Sequence, residues 1–348
     1  LEFAMRAEVQ TTPQLVIDPE SMHFGLLAGE SKSQPLTLSN LGDGNLDFQA
    51  YVSASPTGIV NSSLWAMGNN DYGQLGDGTN EHRVLPVMID ENDILKVAAS
   101  AEHTLFLKTD GSLWGMGSNE YGQLGDGTWE NKNEPILIVE SNVVDIAAGG
   151  QGHSLFIKSD GSLWGMGANI FGELGDGTYD PRNEPVKIEN SGVKQVTAGW
   201  FFTAYLKEDG SVWSMGADDV GDGGPNPIKI VESESGVKKI AAGCYHLLLI
   251  KENNSLWGMG ANWNWQLGVN SGSLNDDYYS YPVEIASEVK DIVAGNDHSL
   301  FLKEDGSLWG MGDKWSLGMG EGGTQYTPGL IVESGVVKIS CASSPSYH

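Results

Sequence analysis

The 348-residue chain is poor in the features that hold nucleic acid, cross a membrane or bind a metal. Arginine occurs only at Arg6, Arg83 and Arg182. Lysine and arginine together number 19 against 46 aspartates and glutamates, a net charge of −27. So acidic a surface repels phosphate backbones and argues against nucleic acid as a partner. It suits solubility, a salty medium or a basic partner. The two cysteines, Cys244 and Cys341, lie far apart with no C-x-x-C and no histidine cluster. They read as buried thiols rather than a disulfide or a metal site. No apolar run approaches the length of a membrane span. No secretory signal opens the chain, whose first residues, LEFAM, look like a cloning scar. G-x-S-x-G, H-E-x-x-H and P-loop motifs are all missing, and no cofactor is implied.

What is present is repetition. SLWAMGNNDYGQLGDGT begins at 63, SLWGMGSNEYGQLGDGT at 112 and SLWGMGANIFGELGDGT at 162. Shorter versions begin at 211, 255 and 307. The tryptophans Trp65, Trp114, Trp164, Trp213, Trp257 and Trp309 are spaced by 49, 50, 49, 44 and 52 residues. A period of this length marks an array, a solenoid or a propeller. Within one period, VAAS, HTLFLK, SLWGMG and EPILIV read as four short strands. Asp110-Gly111 between the second and third is a hairpin signal, for which a type I′ turn is predicted. It recurs at Asp160-Gly161, Asp209-Gly210 and Asp305-Gly306, with Asn253-Asn254 as a variant.

The strands are apolar on both faces, as in Leu105, Phe106 and Leu107. Sheets covered on both sides and packed against like neighbours fit radial blades. The expectation is an all-β propeller of four-stranded blades. Small residues (AAG, TAG, VAG) should line the axis. Each tryptophan should be a wedge buried between blades, contributing about 2–3 kcal/mol.

The unit VxxIAAGxxHSLFLKxDGSLWGMGxNxxGQLGDGT resembles the repeat of the regulator of chromosome condensation family. The resemblance covers residues 57–348 in six copies. It implies a propeller, usually of seven blades; the copies here point to six. The chain enters on a third-strand motif (SLWAMG) and leaves after a first-strand motif (VVKISCA), so the terminal strands are expected to share one closing blade. Its second strand would have to come from residues 50–61. Residues 1–11 read as scar or linker. Residues 12–56 resemble the opening half of an immunoglobulin-like sandwich, of the kind placed beside repeats in bacterial surface proteins.

A residue needed in every blade is scaffold, so function is sought where the copies differ. Two loop families diverge, one after the AAG strand and one after the GMG strand. Both carry aromatics from the third copy onward, which suits recognition anchors. The candidate binding residues are Trp200, Phe201, Tyr245, Trp263, Trp265 and Trp315. Trp129, Tyr179, Tyr278, Tyr279 and Tyr281 are further loop aromatics. By resemblance, secreted bacterial members of the family grip partner proteins through aromatics after this strand, and Trp200-Phe201 and Cys244-Tyr245 match that position. Nuclear members need a basic face and the plant photoreceptor members need paired arginines; both are lacking here.

His103, His153, His246 and His298 precede a hydroxyl residue in three copies of four, a pairing that suggests a nucleophile and its base. Their repetition favours structure. Asp77/Glu81, Asp126/Glu130 and Asp176/Asp180 could offer oxygen ligands, but the density of a calcium loop is missing. The reading favours a monomeric, non-enzymatic binding propeller, extracellular or on a bacterial cell surface, that takes a protein or a glycan. The alternative is a hydrolase or lyase with an acid–base pair or a metal at the channel mouth, drawn from Asp218, Asp219, Asp276, Asp277 and Asp297.

Overall fold

The computed structural model describes residues 62–217, 220, 223–269, 278–319 and 324–341, with the backbone of four short strands ahead of them. Five antiparallel sheets have four strands each, in simple sequential order. The first complete blade is Ile94–Ala99, His103–Lys108, Leu113–Gly117 and Lys132–Val139. The second runs from Val143–Ala148 to Arg182–Glu189 and the third from Val193–Ala198 to Gly224–Val231. The fourth runs from Val237–Ala242 to Tyr278–Ala286 and the fifth from Val289–Ala294 to Thr324–Val332. Among the described residues the only α-helix is the four-residue Lys314–Leu317.

The sixth blade is built from both ends of the repeat region. Leu64–Gly68 pairs with Arg83–Asp90 as its outer half. Residues 335–341 take the place of its first strand. The Val336 N–H donates to the Gly306 carbonyl at 3.0 Å, as Val143 does to Gly111 and Val193 to Gly161 at the start of other blades. Val336 and Ile339 pack on Leu300, Leu308 and Leu317 of the fifth blade. Residues 50–61, expected to supply the second strand, lie outside the described residues. Upstream, Leu15–Asp18 pairs with Thr37–Asn40, and Glu8–Val9 with Leu46–Asp47. The immunoglobulin-like expectation otherwise falls on undescribed positions.

Two local expectations are corrected. The Asp-Gly turn is not type I′, which would need positive φ at both residues. Gly111 alone has positive φ, at 81°, and its N–H donates to the Lys108 carbonyl at 3.0 Å. This is the three-residue hairpin loop that ends on a left-handed residue. In the fourth blade Asn254 takes that place with φ 64°. The repeated tryptophans are the second correction, because they are partly rather than fully buried; Trp65 is 49% exposed and the other five are less so. Each Nε1–H donates to the serine two residues before it, as Trp114 does to Ser112 at 2.9 Å. One ring face stacks on the second strand, Phe106–Trp114 at 6.2 Å and Phe156–Trp164 at 6.2 Å. A lysine ammonium covers the ring, closest at Lys251 over Trp257, 3.8 Å. The indoles still pack between blades: Trp164 packs on a cluster built from Leu105, Leu107 and Leu113 of the blade before it and Ile146 and Phe156 of its own. Trp65 therefore keeps about half of the expected stabilisation and the other five keep most of it.

The fully buried members of the repeat are the histidines and the hydrophobic runs behind them. Leu105, Phe106 and Leu107 are wholly buried, as are His103, His153 and His246. The glycine of AAG exists for the imidazole. A Cβ on Gly149 would fall inside the His153 ring, and the same holds for Gly243 with His246 and Gly295 with His298. In the first blade Ser100 replaces this glycine and its hydroxyl meets His103 Nδ1 at 2.7 Å. The opposite ring nitrogen reaches the next blade. His103 Nε2 is 2.9 Å from Ser154 Oγ, and His246 Nε2 is 2.8 Å from Ser299 Oγ. Each serine hydroxyl donates its proton to a carbonyl, Gln123 or Gln266, both at 2.7 Å. Each serine must therefore accept from Nε2–H, which sets the neutral tautomer. A His–Ser pair that recurs between blades one and two and between blades four and five is a fastening, not a nucleophile and its base.

Burial holds His103 at about 3, His153 at about 4 and His246 at about 3, against an ordinary 6.5. Below pH 6.5 the unfolded chain takes up protons that the folded chain refuses. Stability must then fall as pH drops from about 6.5 toward 4, by up to about 1.4 kcal/mol per pH unit for each histidine. Glu173, raised by burial, acts in the opposite sense. Urea denaturation at stepped pH checks the net slope, which should flatten above pH 7. In the same assay Gly149→Ala should cost about 1–3 kcal/mol through overpacking against His153.

Candidate binding face

In a four-stranded meander the first and third strands run the same way. The loops that leave them therefore emerge at one end of the propeller, and the Asp-Gly turns emerge at the other. Both divergent loop families meet at that first end.

There the aromatics form one continuous arc across blades two to four. Phe171 and Phe201 meet edge to face with centroids 4.5 Å apart. Phe201 lies 5.8 Å from Trp200, and Trp200 stacks on Tyr245 at 6.5 Å and 8°. Tyr245 meets Trp263 edge-on at 5.4 Å. The ends of the arc are open: Phe171 is 40% and Trp263 46% exposed. Ile170 and Tyr121 extend the apolar surface toward blade one, both exposed.

Trp200 is placed differently from a surface anchor. It is only 6% exposed. Its N–H donates to the Cys244 carbonyl at 3.0 Å, and its ring lies on Gly150. It supports Phe201 and Tyr245 from beneath. Trp265 sits apart, edge-on to Tyr326 at 5.1 Å. It occupies the slot of Gly73, Gly122 and Gly172 and keeps their left-handed backbone, with φ 62°. A Cβ at Gly122 would approach the Asn183 backbone at 2.5 Å. A bulky residue held in this conformation costs about 1–3 kcal/mol, a strain found at functional sites. Trp315 belongs to the short helix Lys314–Leu317; its side chain lies outside the described residues. Phe171, Ile170 and Tyr121 were missing from the candidates, though their loop was singled out. Their signal was the apolar pair Ile-Phe where the other copies carry Glu-Tyr or Asp-Tyr.

Carboxylates flank the arc. On blade one, burial raises the pKa of Glu102 and the charge of Glu120 adds to it. On blade five, burial raises that of Asp297, against a hydrogen bond from Asn264; Asp313 adds to the rise and the Trp263 indole opposes it. The turn carboxylates proposed as calcium ligands are otherwise engaged. Asp126 accepts from the Thr128 N–H and hydroxyl at 2.9 and 2.7 Å and pairs with Lys132 at 3.3 Å. Asp77 pairs with Arg83, and Asp176 with Arg182 at 2.6 Å. Among the described residues no group of three or more His, Cys, Asp or Glu could hold a metal. Of the five aspartates considered for an acid–base pair only Asp297 is among the described residues; Asp218, Asp219, Asp276 and Asp277 lie outside them.

Known proteins share this architecture. Human WBSCR16 superposes with a TM-score of 0.70 at 23% identity, covering 82% of this chain and 80% of its own. Yeast RCC1 (Prp20), solved bound to Kap60, gives 0.69 at 20% identity over 77% of this chain and 70% of its own. Prp20p from Saccharomyces cerevisiae, described with its binding to Gsp1p and histones, gives 0.67 at 21% identity over 77% and 72%. No curated protein sequence matches. One profile of the regulator of chromosome condensation (RCC1) repeat matches residues 61–107, 110–157 and 160–206. A second profile of that repeat matches 94–123, 143–173, 193–222 and 289–313. Together the two span more than half of the chain, which belongs to the regulator of chromosome condensation repeat family and is a six-bladed member of its propellers.

Proposed function

We propose that this is a non-enzymatic recognition propeller that binds a partner protein through the aromatic loops of one end. The observation that carries the reading is the unbroken arc from Phe171 to Trp263. Rigid aromatic rings give large contact area at low conformational cost, and they cluster in interface centres. The strained Trp265 adds to it, since a glycine would sit there freely. One protein of the same fold, yeast Prp20, is described with protein partners, Kap60 in one structure and Gsp1p and histones with the other. The protein is read as a monomer from a secreted or surface-attached bacterial protein.

Affinity capture from the source organism's medium, repeated with variants, tests this. Trp263→Ala should abolish capture with thermal unfolding unmoved, because its ring is half in solvent. Trp200→Ala should weaken capture and also cost about 3 kcal/mol of stability, because its ring is packed. Capture undiminished by Trp263→Ala or Phe201→Ala rejects the reading, and release by free sugar would assign the face to a glycan.

A further inference from the structure

We propose, building on that reading, that the partner presents a lysine- or arginine-rich polypeptide segment, which lies along the aromatic arc with its cations over the rings and beside the flanking carboxylates. Three observations lead there.

The first is charge segregation. The loops at this end hold a single lysine or arginine, Lys314. Arg83, Lys132 and Arg182 stand at the starts of outer strands, where Asp77, Asp126 and Asp176 already engage them. At the opposite end lysines close every second strand of the complete blades. A face of one sign, walled by low-dielectric aromatics, focuses its field on an incoming cation.

The second is that the carboxylates bracket the rings. Glu102 and Glu120 stand at the blade-one end, near Tyr121. Asp297 and Asp313 stand at the blade-five end, where the Trp263 indole and Asn264 hydrogen-bond Asp297. Both pairs carry mutual repulsion, and burial opposes the charge of Glu102 and Asp297. A cation placed beside such a pair screens the repulsion and offsets part of the burial cost.

The third is the chemistry of the rings. The chain covers its repeated tryptophans with its own lysines: Lys158 lies 4.7 Å from Trp164, Lys207 4.8 Å from Trp213 and Lys303 5.2 Å from Trp309. Among the described residues no lysine lies over Trp263 or Phe171. Their open faces offer the pairing that the other end has already made, and an arginine guanidinium stacks on such a face with a fixed, planar fit.

A fluorescent arginine–glycine repeat peptide, with glutamine–glycine and glutamate–glycine counterparts of equal length, makes the test by anisotropy on the full chain. The arginine peptide should bind, the glutamine peptide at least about tenfold more weakly and the glutamate peptide not at all. Trp263→Ala and the pair Glu120→Gln with Asp297→Asn should each weaken the arginine peptide about tenfold. Glu252→Gln with Glu304→Gln, at the opposite end, should change it less than about twofold. Equal losses from both acidic pairs would mean diffuse attraction and overturn the inference, as would equal affinity for arginine and glutamine peptides, or no peptide binding. If the captured protein still needs Trp263 but ignores Glu120→Gln with Asp297→Asn, the interface reading survives and the cationic partner does not.

Discussion

A neutral imidazole laid over a glycine, with its far nitrogen reaching a hydroxyl in the next sheet, is the contact on which this propeller turns. The ring must be uncharged, because it sits where no solvent enters, and in three of the four copies it faces a residue without a side chain; in the first, Ser100 takes that place and bonds the ring. Both demands appear in one line of sequence, as in AAGCYH, where Gly243 lies under His246 and the ring reaches Ser299. The flat hydrophobic second strands could slide past one another without a directional bond. His103 with Ser154, and His246 with Ser299, hold adjacent sheets in one register.

With register held by the interior, the loops carry little structural duty. They leave strands whose ends are already placed, so their residues can diverge without loss of fold. One short turn, QLGDGT, shows how far this goes. Asn119 accepts from the Leu124 N–H and donates to Asp126, so the loop closes on itself with one buried amide. The residues between, Glu120 and Tyr121, are free to vary, and in blade two they become Ile170 and Phe171. Recognition is then a matter of which side chains these positions receive.

Much of the scaffold was legible because repetition separates what every blade needs from what one blade has. Blade boundaries, strand count and the structural standing of the histidines follow from spacing alone. Depth within a sheet does not. Trp114 and Leu113 share one strand and one pattern, yet one is partly exposed and the other dry, because a lysine reaches over part of the indole. Glycine in AAG reads in sequence as a response to crowding at the axis, whereas the crowding comes from the histidine three or four residues on. The site was half-legible for a similar reason. Trp200, the first aromatic of its loop, points inward, while Phe171, thirty residues earlier, is its partner's partner. Contacts between loops of neighbouring blades leave no periodic mark, so only coordinates join Phe171 to Phe201.

The third blade breaks the imidazole pattern, since Phe202 stands in the histidine's place with its ring over Gly199. Its seam with the fourth blade is fastened nearer the axis instead. Gln195 exchanges bonds with the Ile240 backbone at 2.8 and 3.0 Å, and Thr197 accepts from Ala242 at 2.9 Å. Outward from those bonds lies the largest apolar cluster among the described residues, from Phe202 to Met259. Oily contact of this kind loses strength on cooling, whereas hydrogen-bonded seams do not share that dependence. The joint directly below Trp200 and Tyr245 carries both kinds of contact, so its three cross-blade bonds would hold the recognition loops in register on chilling while the oily part of the seam weakens.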